Sequence, residues 1–235
     1  MNEFAHNMIC VIPARAGSKR FPGKNLAVLA GKPLVAHTII TALESKLFEK
    51  VYVATESKEI ADVAEKYGAT VPTFVPANLC GDENPSWDSC VYLVDYVNKT
   101  LGKDFKNLLC LQPTSPLRNV DDIKGAVKAF GEGKFDFLVS VTPIDPHFFH
   151  WAMIENKKGE KSEWEMYFRK KYLNNKPDSF PTFRPNGAIK IANIEKLMVE
   201  KSFFGLNLGV VHMSDSRALH IINPTDLIIA EALLK

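Results

Sequence analysis

The chain alternates short apolar runs with amphipathic segments along most of its length, and this pattern limits the folds that it can adopt. The first run, Met8–Pro13 (MICVIP), is apolar throughout, which is typical of a strand covered on both faces. Further strands are predicted at 51–54, 71–74, 108–112, 137–141, 188–191 and 210–212, and helices at about 34–43, 57–67, 85–100, 121–130 and 225–234. Repeated strand–helix pairs of this kind predict an α/β fold with a largely parallel sheet sandwiched by helices.

The alternation is interrupted between residues 144 and 183, where aromatic residues are interspersed with lysines and acids. The aromatic residues of this segment include Phe148, Phe149, Trp151, Trp164, Tyr167, Phe168 and Tyr172. Exposed apolar groups in such numbers need a partner surface. We therefore predict a single domain over residues 1–235 with an inserted arm at 144–183.

The charge balance excludes two classes of partner. The chain has 29 Lys and Arg against 27 Asp and Glu, a formal charge of +2. This is too even for a general nucleic-acid binder or a polybasic membrane anchor.

The sequence has no run of eighteen apolar residues and no basic segment followed by an apolar stretch at its start, so we expect a cytoplasmic protein that does not enter membranes. Four widely spaced cysteines favour reduced thiols over zinc or disulfides.

The segment at 14–25, ARAGSKRFPGKN, follows the first strand directly and is the clearest indication of function. It holds four cations, at positions 15, 19, 20 and 24, and two glycines. Glycine permits close approach to the backbone, and the cations can neutralise phosphates, so the loop predicts a polyphosphate site at the carboxyl edge of the sheet. It matches neither GxxxxGK[ST] nor GxGxxG. A solvated basic turn is the alternative.

Two further segments are expected near the same edge. Residues 112–118 (QPTSPLR) follow a predicted strand, so their amide, hydroxyl and guanidinium groups can orient a sugar or a nucleotide. A proline-rich turn is the alternative for this segment. Asn186 and Gly187 precede another predicted strand, and a simple turn is open for them as well.

Together these segments resemble the sugar-acid cytidylyltransferases, particularly the acylneuraminate cytidylyltransferases. The loop at 14–25 resembles the family's ARxGSK…KN loop, residues 111–118 (LQPTSPLR) reproduce a family segment, and 31–34 (GKPL) and 184–189 (RPNGAI) resemble two others. The likeness runs from about residue 8 to the C-terminus. It implies a Rossmann-like nucleotide-diphospho-sugar transferase fold and a homodimer formed through the arm at 144–183.

The resemblance also implies a reaction, in which CTP and a 2-keto sugar acid give the CMP-sugar acid and pyrophosphate. The sugar's anomeric hydroxyl attacks the α-phosphate, so catalysis consists of positioning and charge neutralisation without an enzyme nucleophile. By resemblance, the catalytic residues are Arg15 and Lys24, and the nucleotide-binding residues are Ala14, Arg15, Gly17, Ser18, Lys19 and Asn25. The sugar-binding residues are Gln112, Thr114, Ser115, Arg184 and Asn186.

Magnesium is the cofactor that the resemblance implies, since Mg²⁺ bridges phosphate oxygens. In the family, a segment S-x-D-I-D-T-x-x-D supplies two metal-binding aspartates, and this chain has His220 and Ile222 at those positions. The last aspartate, Asp226, is retained. Either it is a metal ligand or it begins a helix, where the dipole favours an acid.

Other departures from the family concern the sugar and the base. Val75 replaces the arginine of an Arg-Pro pair, residues 174–178 (NNKPD) replace RRQ, and Lys190 replaces the tyrosine of GAIY. They leave open an unusual acceptor, a differently held metal, or weakened catalysis. The leading hypothesis is CMP transfer to a nonulosonic acid. The alternatives are a catalytically impaired homologue that binds nucleotide and a nucleotidyltransferase for a different sugar acceptor.

Overall fold

The computed structural model describes residues 3–81, 83–145, 152–158, 161–167 and 182–234. The chain divides into two compact units. The first unit consists of Met1–Val141 and Asn186–Lys235, and the second consists of Thr142–Pro185.

Ten strands and six α-helices are found in the described part of the chain. The strands are β1 Met8–Pro13, β2 Val28–Leu29, β3 Lys32–Pro33, β4 Val51–Ala54, β5 Asn107–Leu111, β6 Phe137–Pro143, β7 Met153–Lys158, β8 Lys161–Met166, β9 Phe183–Asn193 and β10 Leu208–His212. The helices are α1 Leu34–Glu44, α2 Lys58–Lys66, α3 Ser86–Thr100, α4 Val120–Gly133, α5 Ile194–Glu200 and α6 Pro224–Leu233. Short 3-10 helices occupy Glu3–Ala5, Lys24–Leu26 and Ala77–Leu79.

The main sheet, as far as the chain is described, has six strands in the order β10-β6-β9-β5-β1-β4. Strand β1 is parallel to both neighbours, with Cys10 opposite Val51 on one side and Leu109 on the other. Strand β10 is parallel to β6, whereas β9 is antiparallel to β5. The prediction of an α/β fold with a mostly parallel sheet is therefore confirmed, with β9 as the strand whose direction the sequence did not reveal.

Alternate residues of β1 pack into two different apolar clusters. Cys10 and Ile12 belong to a cluster that also holds Ile39 of α1, Ile60 of α2 and Ile123 of α4. Ile9 and Val11 belong to a second cluster, which also holds Leu93 of α3 and Leu197 of α5. Since successive side chains of a strand point to opposite faces, helices cover the sheet on both sides. This double cover explains why the first strand is apolar at every position.

Side-chain caps fix where α2, α4 and α6 begin. Ser57 accepts a hydrogen bond from the N–H of Ile60 at the start of α2. Asn119 and Asp122 form a reciprocal capping box on α4, and Asn223 and Asp226 form another on α6. Each box satisfies backbone N–H groups that lack a partner within the helix.

The prediction of a strand at 71–74 is wrong. The nearest pairing is a single bridge between Thr70 and Tyr52 of β4, after which the backbone leaves the sheet. The N–H of Thr70 donates to the carbonyl of Val51, and the carbonyl of Thr70 accepts from the N–H of Val53. Thr70 is therefore the residue that pairs with this edge of β4. Val71 therefore packs against the core without forming a strand, whereas Phe74 is exposed.

The second unit contains the antiparallel pair β7 and β8, in register from Met153 opposite Met166 to Lys158 opposite Lys161. The N–H of Ile144 donates to the carbonyl of Thr182. Of the aromatic residues predicted to lie in the arm, Trp164 and Tyr167 are described. Phe148, Phe149, Trp151, Phe168 and Tyr172 lie outside the described residues.

The described residues bear on two further predictions, which concern the state of the cysteines and entry into membranes. Cys10, Cys90 and Cys110 are free and buried, and Cys80 is free and partly buried. Within the described ranges, no helix combines the length and the apolar character that crossing a bilayer requires.

Candidate functional site

The loop after β1 is held in place at its beginning by β4. The N–H of Ala14 donates to the carbonyl of Ala54 at 2.9 Å, which extends the strand pairing by one residue. The N–H of Ala16 donates to Oε1 of Glu56 at 2.8 Å. These two bonds turn the loop away from the sheet at its carboxyl edge, where open α/β sheets bind ligands.

The loop is closed at its end by Asn25 and Lys24. Gly23 has a φ of 67°, a left-handed conformation that favours glycine, and the 3-10 helix Lys24–Leu26 follows it. The Asn25 side-chain amide donates to the carbonyl of Arg15 at 2.8 Å, which ties the two ends of the loop together. The ammonium group of Lys24 donates to the carbonyl of Ile221 at 3.2 Å.

The turn after β5 lies against the segment that precedes α6. The N–H of Ile221 donates to the carbonyl of Thr114 at 2.7 Å. This bond places His220 beside the turn, with its Nδ1 3.3 Å from the Thr114 hydroxyl and 3.4 Å from the Ser115 hydroxyl. Two segments more than a hundred residues apart in sequence thus form one wall.

Arg118, the last residue of this turn, is 2% exposed and does not face a ligand. Its guanidinium donates to the carbonyl of Ala188 at 2.7 Å, to the Thr38 hydroxyl at 2.9 Å and to the carbonyl of Gln112 at 3.4 Å. The expectation that this guanidinium orients a substrate is therefore wrong. Arg118 instead holds the end of β5, strand β9 and helix α1 together.

Asn186 begins the part of β9 that belongs to the first unit, and its side chain is 4% exposed. Its Oδ1 accepts from the Ser140 hydroxyl and from the N–H of Ala188. Its Nδ2 is buried and has no hydrogen-bond partner in the described part of the chain. Buried donors are almost always paired in proteins, so this amide needs an acceptor that the described residues do not supply.

Gly187 lets β9 approach the turn closely. Its φ is +78°, and a Cβ at this position would lie 3.3 Å from Oε1 of Gln112 and 3.8 Å from Nδ1 of His220. A side chain would be strained in this conformation and crowded by both groups. Gly187, which follows the predicted sugar-binding residue Asn186, therefore lies beside Gln112 and His220 of the cavity wall.

A cavity of about 290 Å³ lies over these segments, within the first unit. Its walls are formed by the loop, the turn after β5, the segment 79–89 and His220. The predicted site residues in its lining are Ala14, Arg15, Gly17, Ser18, Lys24, Asn25, Gln112 and Thr114. The structure thus brings most of the predicted nucleotide-binding residues and two predicted sugar-binding residues to one place.

Besides Asp226, four predicted site residues lie outside this lining. Lys19 is exposed, and Arg20 lines the cavity in its place. Ser115 is buried beside His220. Asn186 is buried behind Gly187. Arg184 is exposed and belongs to the second unit.

The wall at 79–89 was not recognised in the sequence. It contributes Leu79, Cys80, Gly81, Asn84, Pro85, Ser86 and Ser89. Arg15 reaches this wall and donates to the carbonyls of Cys80 and Gly81. Helix α3 begins at Ser86, so its N-terminal N–H groups and positive dipole end lie at the cavity. The small polar residues just before a predicted helix were the available signal.

The electrostatics of the cavity are dominated by cations. Burial lowers the pKa of Lys24, and neighbouring Arg20 and Arg15 lower it further. Burial, followed by Lys24 and Lys190, lowers the pKa of His220 to about 4, so its imidazole is neutral near pH 7. Burial and nearby Glu56 raise the pKa of the Cys80 thiol to about 12, which makes it a poor nucleophile.

The described side chains do not fit a magnesium ion held by the protein. In the described ranges, no group of three His, Cys, Asp or Glu side chains could hold a metal ion. The Ile222 side chain has no ligand atom, and Oδ2 of Asp226 accepts from the N–H groups of Ile222 and Asn223 at 2.7 and 2.9 Å. These contacts place Asp226 at the helix start, and a metal role for it stays a prediction.

Comparison with protein families matches residues 9–165 to a family described as cytidylyltransferase. The chain is 37% identical over 236 residues to the CMP-N,N'-diacetyllegionaminic acid synthase of Legionella pneumophila, covering 97% of this chain and 96% of that protein. It is 29% identical over 231 residues to a pseudaminic acid cytidylyltransferase of Campylobacter jejuni, covering 97% and 96%. It is 33% identical over 223 residues to an N-acylneuraminate cytidylyltransferase of Streptococcus agalactiae, covering 94% of this chain and 51% of that longer protein.

Two solved structures share the fold at low sequence identity. CMP:2-keto-3-deoxy-manno-octonic acid synthetase complexed with CTP superposes with a TM-score of 0.74 at 17% identity, covering 97% of this chain and 98% of that one. The 4-diphosphocytidyl-2C-methyl-D-erythritol synthase of Anaerococcus prevotii has a TM-score of 0.62 at 13% identity, covering 98% and 99%. The Rossmann-like α/β architecture is therefore shared along nearly the whole chain.

Proposed function

Because this chain belongs to the cytidylyltransferase family, we propose that it transfers CMP from CTP to the anomeric hydroxyl of a nonulosonic acid and releases pyrophosphate. The family resemblance found in the sequence is confirmed by the family match. The acceptor class is inferred from the relatives named for diacetyllegionaminic acid, pseudaminic acid and N-acylneuraminic acid.

The observation that carries the proposal is the cavity itself, where Arg15, Arg20 and Lys24 converge with the start of α3. A triphosphate brings several negative charges, and cations fixed on a folded loop neutralise them without reorganising during the reaction. The basic loop predicted from the sequence is thus a built cavity wall, held by Ala54, Glu56 and Asn25 rather than by solvent.

In this mechanism, the acceptor's hydroxyl oxygen forms a bond to the α-phosphorus while the bond from that phosphorus to the bridging oxygen breaks. The hydroxyl proton is released, and pyrophosphate leaves with the negative charge. Arg15 and Lys24 stabilise the charge that develops on the phosphates, and the loop holds them in line with the acceptor. Cys80, the thiol in the cavity lining, has a raised pKa, which fits direct transfer without a covalent enzyme intermediate.

The acceptor is expected to lie toward Gln112, Thr114 and Asn186. The unpaired Nδ2 of Asn186 supports this placement because a hydroxyl or carboxylate of the sugar would satisfy it. Gln112 presents its side-chain oxygen beside Gly187 on the same side of the cavity. Arg184, which belongs to the second unit, stays a predicted sugar-binding residue.

The test is pyrophosphate release from CTP across a panel of nonulosonic acids, Kdo and sugar phosphates. We expect release with at least one nonulosonic acid and none with sugar phosphates. No release with any acceptor, together with retained CTP binding, would favour a catalytically impaired homologue. Release with Kdo or a sugar phosphate alone would identify a different acceptor class.

We also propose that the protein works as a cytoplasmic homodimer assembled through the second unit. Trp164 and Tyr167 on and after β8 are 61% and 59% exposed, and exposed aromatics of this kind are enriched at interfaces. We expect the Trp164→Ser/Tyr167→Ser double variant to lower the molar mass measured by light scattering to that of one chain. Phe74→Ser, which removes a similarly exposed aromatic of the first unit, is the control. A wild-type chain that is monomeric at micromolar concentration would refute the dimer.

A further inference from the structure

The cavity has an unusual distribution of charge for a site that handles a metal–nucleotide complex. Three cations line it, namely Arg15, Arg20 and Lys24. Among the described residues of its lining, no side chain is a carboxylate. Magnesium binds hard oxygen ligands, usually one or two carboxylates together with phosphates and water. The described lining therefore offers the phosphates three cationic partners, and it offers a magnesium ion no carboxylate ligand.

The resemblance places the family's metal-binding positions at 220 and 222, in the wall near α6, and this wall carries the Lys24 ammonium group instead. The Lys24 ammonium group donates to the carbonyl of Ile221, so a protein cation already occupies the oxygen that faces the loop. His220, next in sequence, has its Nδ1 within 3.4 Å of the Thr114 and Ser115 hydroxyls. A divalent ion at this wall would be repelled by the charge of Lys24.

Asp226, the aspartate that the resemblance retains near this wall, is already engaged in the capping box of α6. One of its oxygens accepts two backbone N–H groups, and its own N–H donates to Asn223, which completes the capping box of α6. Moving this carboxylate to an ion would leave those backbone groups without partners at the start of the helix.

We propose that this protein binds the triphosphate directly through its own cations, and that a divalent ion enters only as part of the metal–nucleotide substrate. The ion is then coordinated by phosphate oxygens and water, with no protein side chain among its ligands. This inference rests on the proposed function, because it describes how the same cavity receives CTP.

Binding of Mn²⁺ to the protein alone is the first test, with the electron paramagnetic resonance signal of free Mn²⁺ as the readout. We expect the wild-type chain without nucleotide to leave that signal unchanged, and the signal to fall only when CTP is added. One Mn²⁺ bound per chain in the absence of nucleotide would overturn the proposal.

Calorimetric titration with CTP, in Mg²⁺ and in excess EDTA, separates this inference from the proposed function. We expect binding in both buffers, with affinities that differ by less than about tenfold. Binding in Mg²⁺ that disappears in EDTA would overturn the inference and leave the function standing. Absence of CTP binding in both buffers would refute the proposed function itself.

A gain-of-site variant tests why the wild-type cavity does not hold an ion. His220→Asp/Ile222→Asp places one carboxylate in the cavity lining and a second two residues later, at partly buried positions on either side of the Ile221 carbonyl that Lys24 contacts. We expect this variant to bind Mn²⁺ without nucleotide and to bind CTP more weakly in EDTA. His6→Asp, at an exposed histidine near the N-terminus, is the matched control and should bind no Mn²⁺. A folded double variant that also binds none would overturn the argument from missing carboxylates.

Discussion

The guanidinium of Arg118 donates a 2.7 Å hydrogen bond to the carbonyl of Ala188, a residue 70 positions later in the chain. The same guanidinium contacts the Thr38 hydroxyl and the carbonyl of Gln112. A single buried side chain thereby fixes the positions of the turn after β5 and of the strand that follows Asn186. The positions of the predicted sugar-binding residues Gln112 and Asn186 therefore depend on a buried guanidinium that does not line the cavity.

Replacing Arg118 with Met should destabilise the protein. The substitution keeps most of the apolar stem but leaves the carbonyl of Ala188 and the hydroxyl of Thr38 without this donor in the interior. We expect the free energy of unfolding to fall by about 2 kcal/mol, measured by urea denaturation. Arg20→Met, which changes an exposed arginine, should shift it by less than about 0.5 kcal/mol. Equal midpoints for the two variants would contradict the role assigned to Arg118.

Lys24→Ala should impair turnover far more than stability. Its ammonium group lies at the junction of the loop and the α6 wall, where phosphate charge is expected to develop. We expect kcat to fall by about 100-fold or more, while the free energy of unfolding falls by about 1 kcal/mol at most. Lys32→Ala, at an exposed lysine eight residues later, should leave kcat unchanged. Unchanged turnover in Lys24→Ala would remove this residue from the site.

Glu56 is expected to act on CTP binding through the backbone of the loop. Its Oε1 accepts from the N–H of Ala16, and its Oε2 is buried without a hydrogen-bond partner among the described residues. Glu56→Ala should raise the KM for CTP by about tenfold, because the loop loses an anchor. Glu56→Gln keeps an acceptor and should restore most of the affinity. Glu59→Ala on the exposed face of α2 is the control, and a Gln variant as impaired as the Ala variant would indicate that charge, not the hydrogen bond, matters.

Asp226→Asn should have a mild effect if this residue caps a helix. The amide oxygen can still accept from the N–H groups of Ile222 and Asn223, although the favourable charge at the helix start is lost. We expect the free energy of unfolding to fall by about 1 kcal/mol or less, and kcat in Mg²⁺ to stay within about threefold of wild type. A loss of activity greater than about 100-fold with CTP binding retained would identify Asp226 as a metal ligand.

His220 makes stability depend on pH in acid. Its pKa is about 4 in the folded protein against 6.5 for an unperturbed histidine, so the unfolded chain binds the proton more tightly. The contribution to stability is complete above pH 6.5 and is lost as the pH falls toward 4. His220→Gln should therefore reduce the drop in unfolding free energy between pH 7 and pH 4.5 by about 2 kcal/mol. His212→Gln, at an exposed histidine, is the control.

The sequence was sufficient for the parts of the fold that local pattern controls. Met8–Pro13 is apolar throughout because both faces of its strand are covered, and Ser57 and Gly23 stand where a helix cap and a left-handed turn require them. The loop at 14–25 was recognisable because cations and glycines rarely follow a buried strand by chance. These features depend on neighbours a few residues away.

Features that depend on distant partners were not predictable in the same way. Arg118 belongs to a residue type that is usually exposed, and only the carbonyls and hydroxyl brought to it by α1 and β9 explain its burial. Residues 71–74 have the composition of a strand, yet Thr70 alone completes the edge of β4. The wall at 79–89 is polar and unremarkable in sequence, and it becomes part of the site because Arg15 reaches across to it.

The second unit is connected to the first through β6 and β9, which are neighbours in the main sheet. Neighbouring strands lie about 4.8 Å apart, so the chain leaves and re-enters the first unit at almost one point. Insertions or deletions between such points change neither strand's register. Changes in the length or surface of residues 144–182 can therefore alter what the protein assembles with while the cavity of the first unit keeps its lining residues.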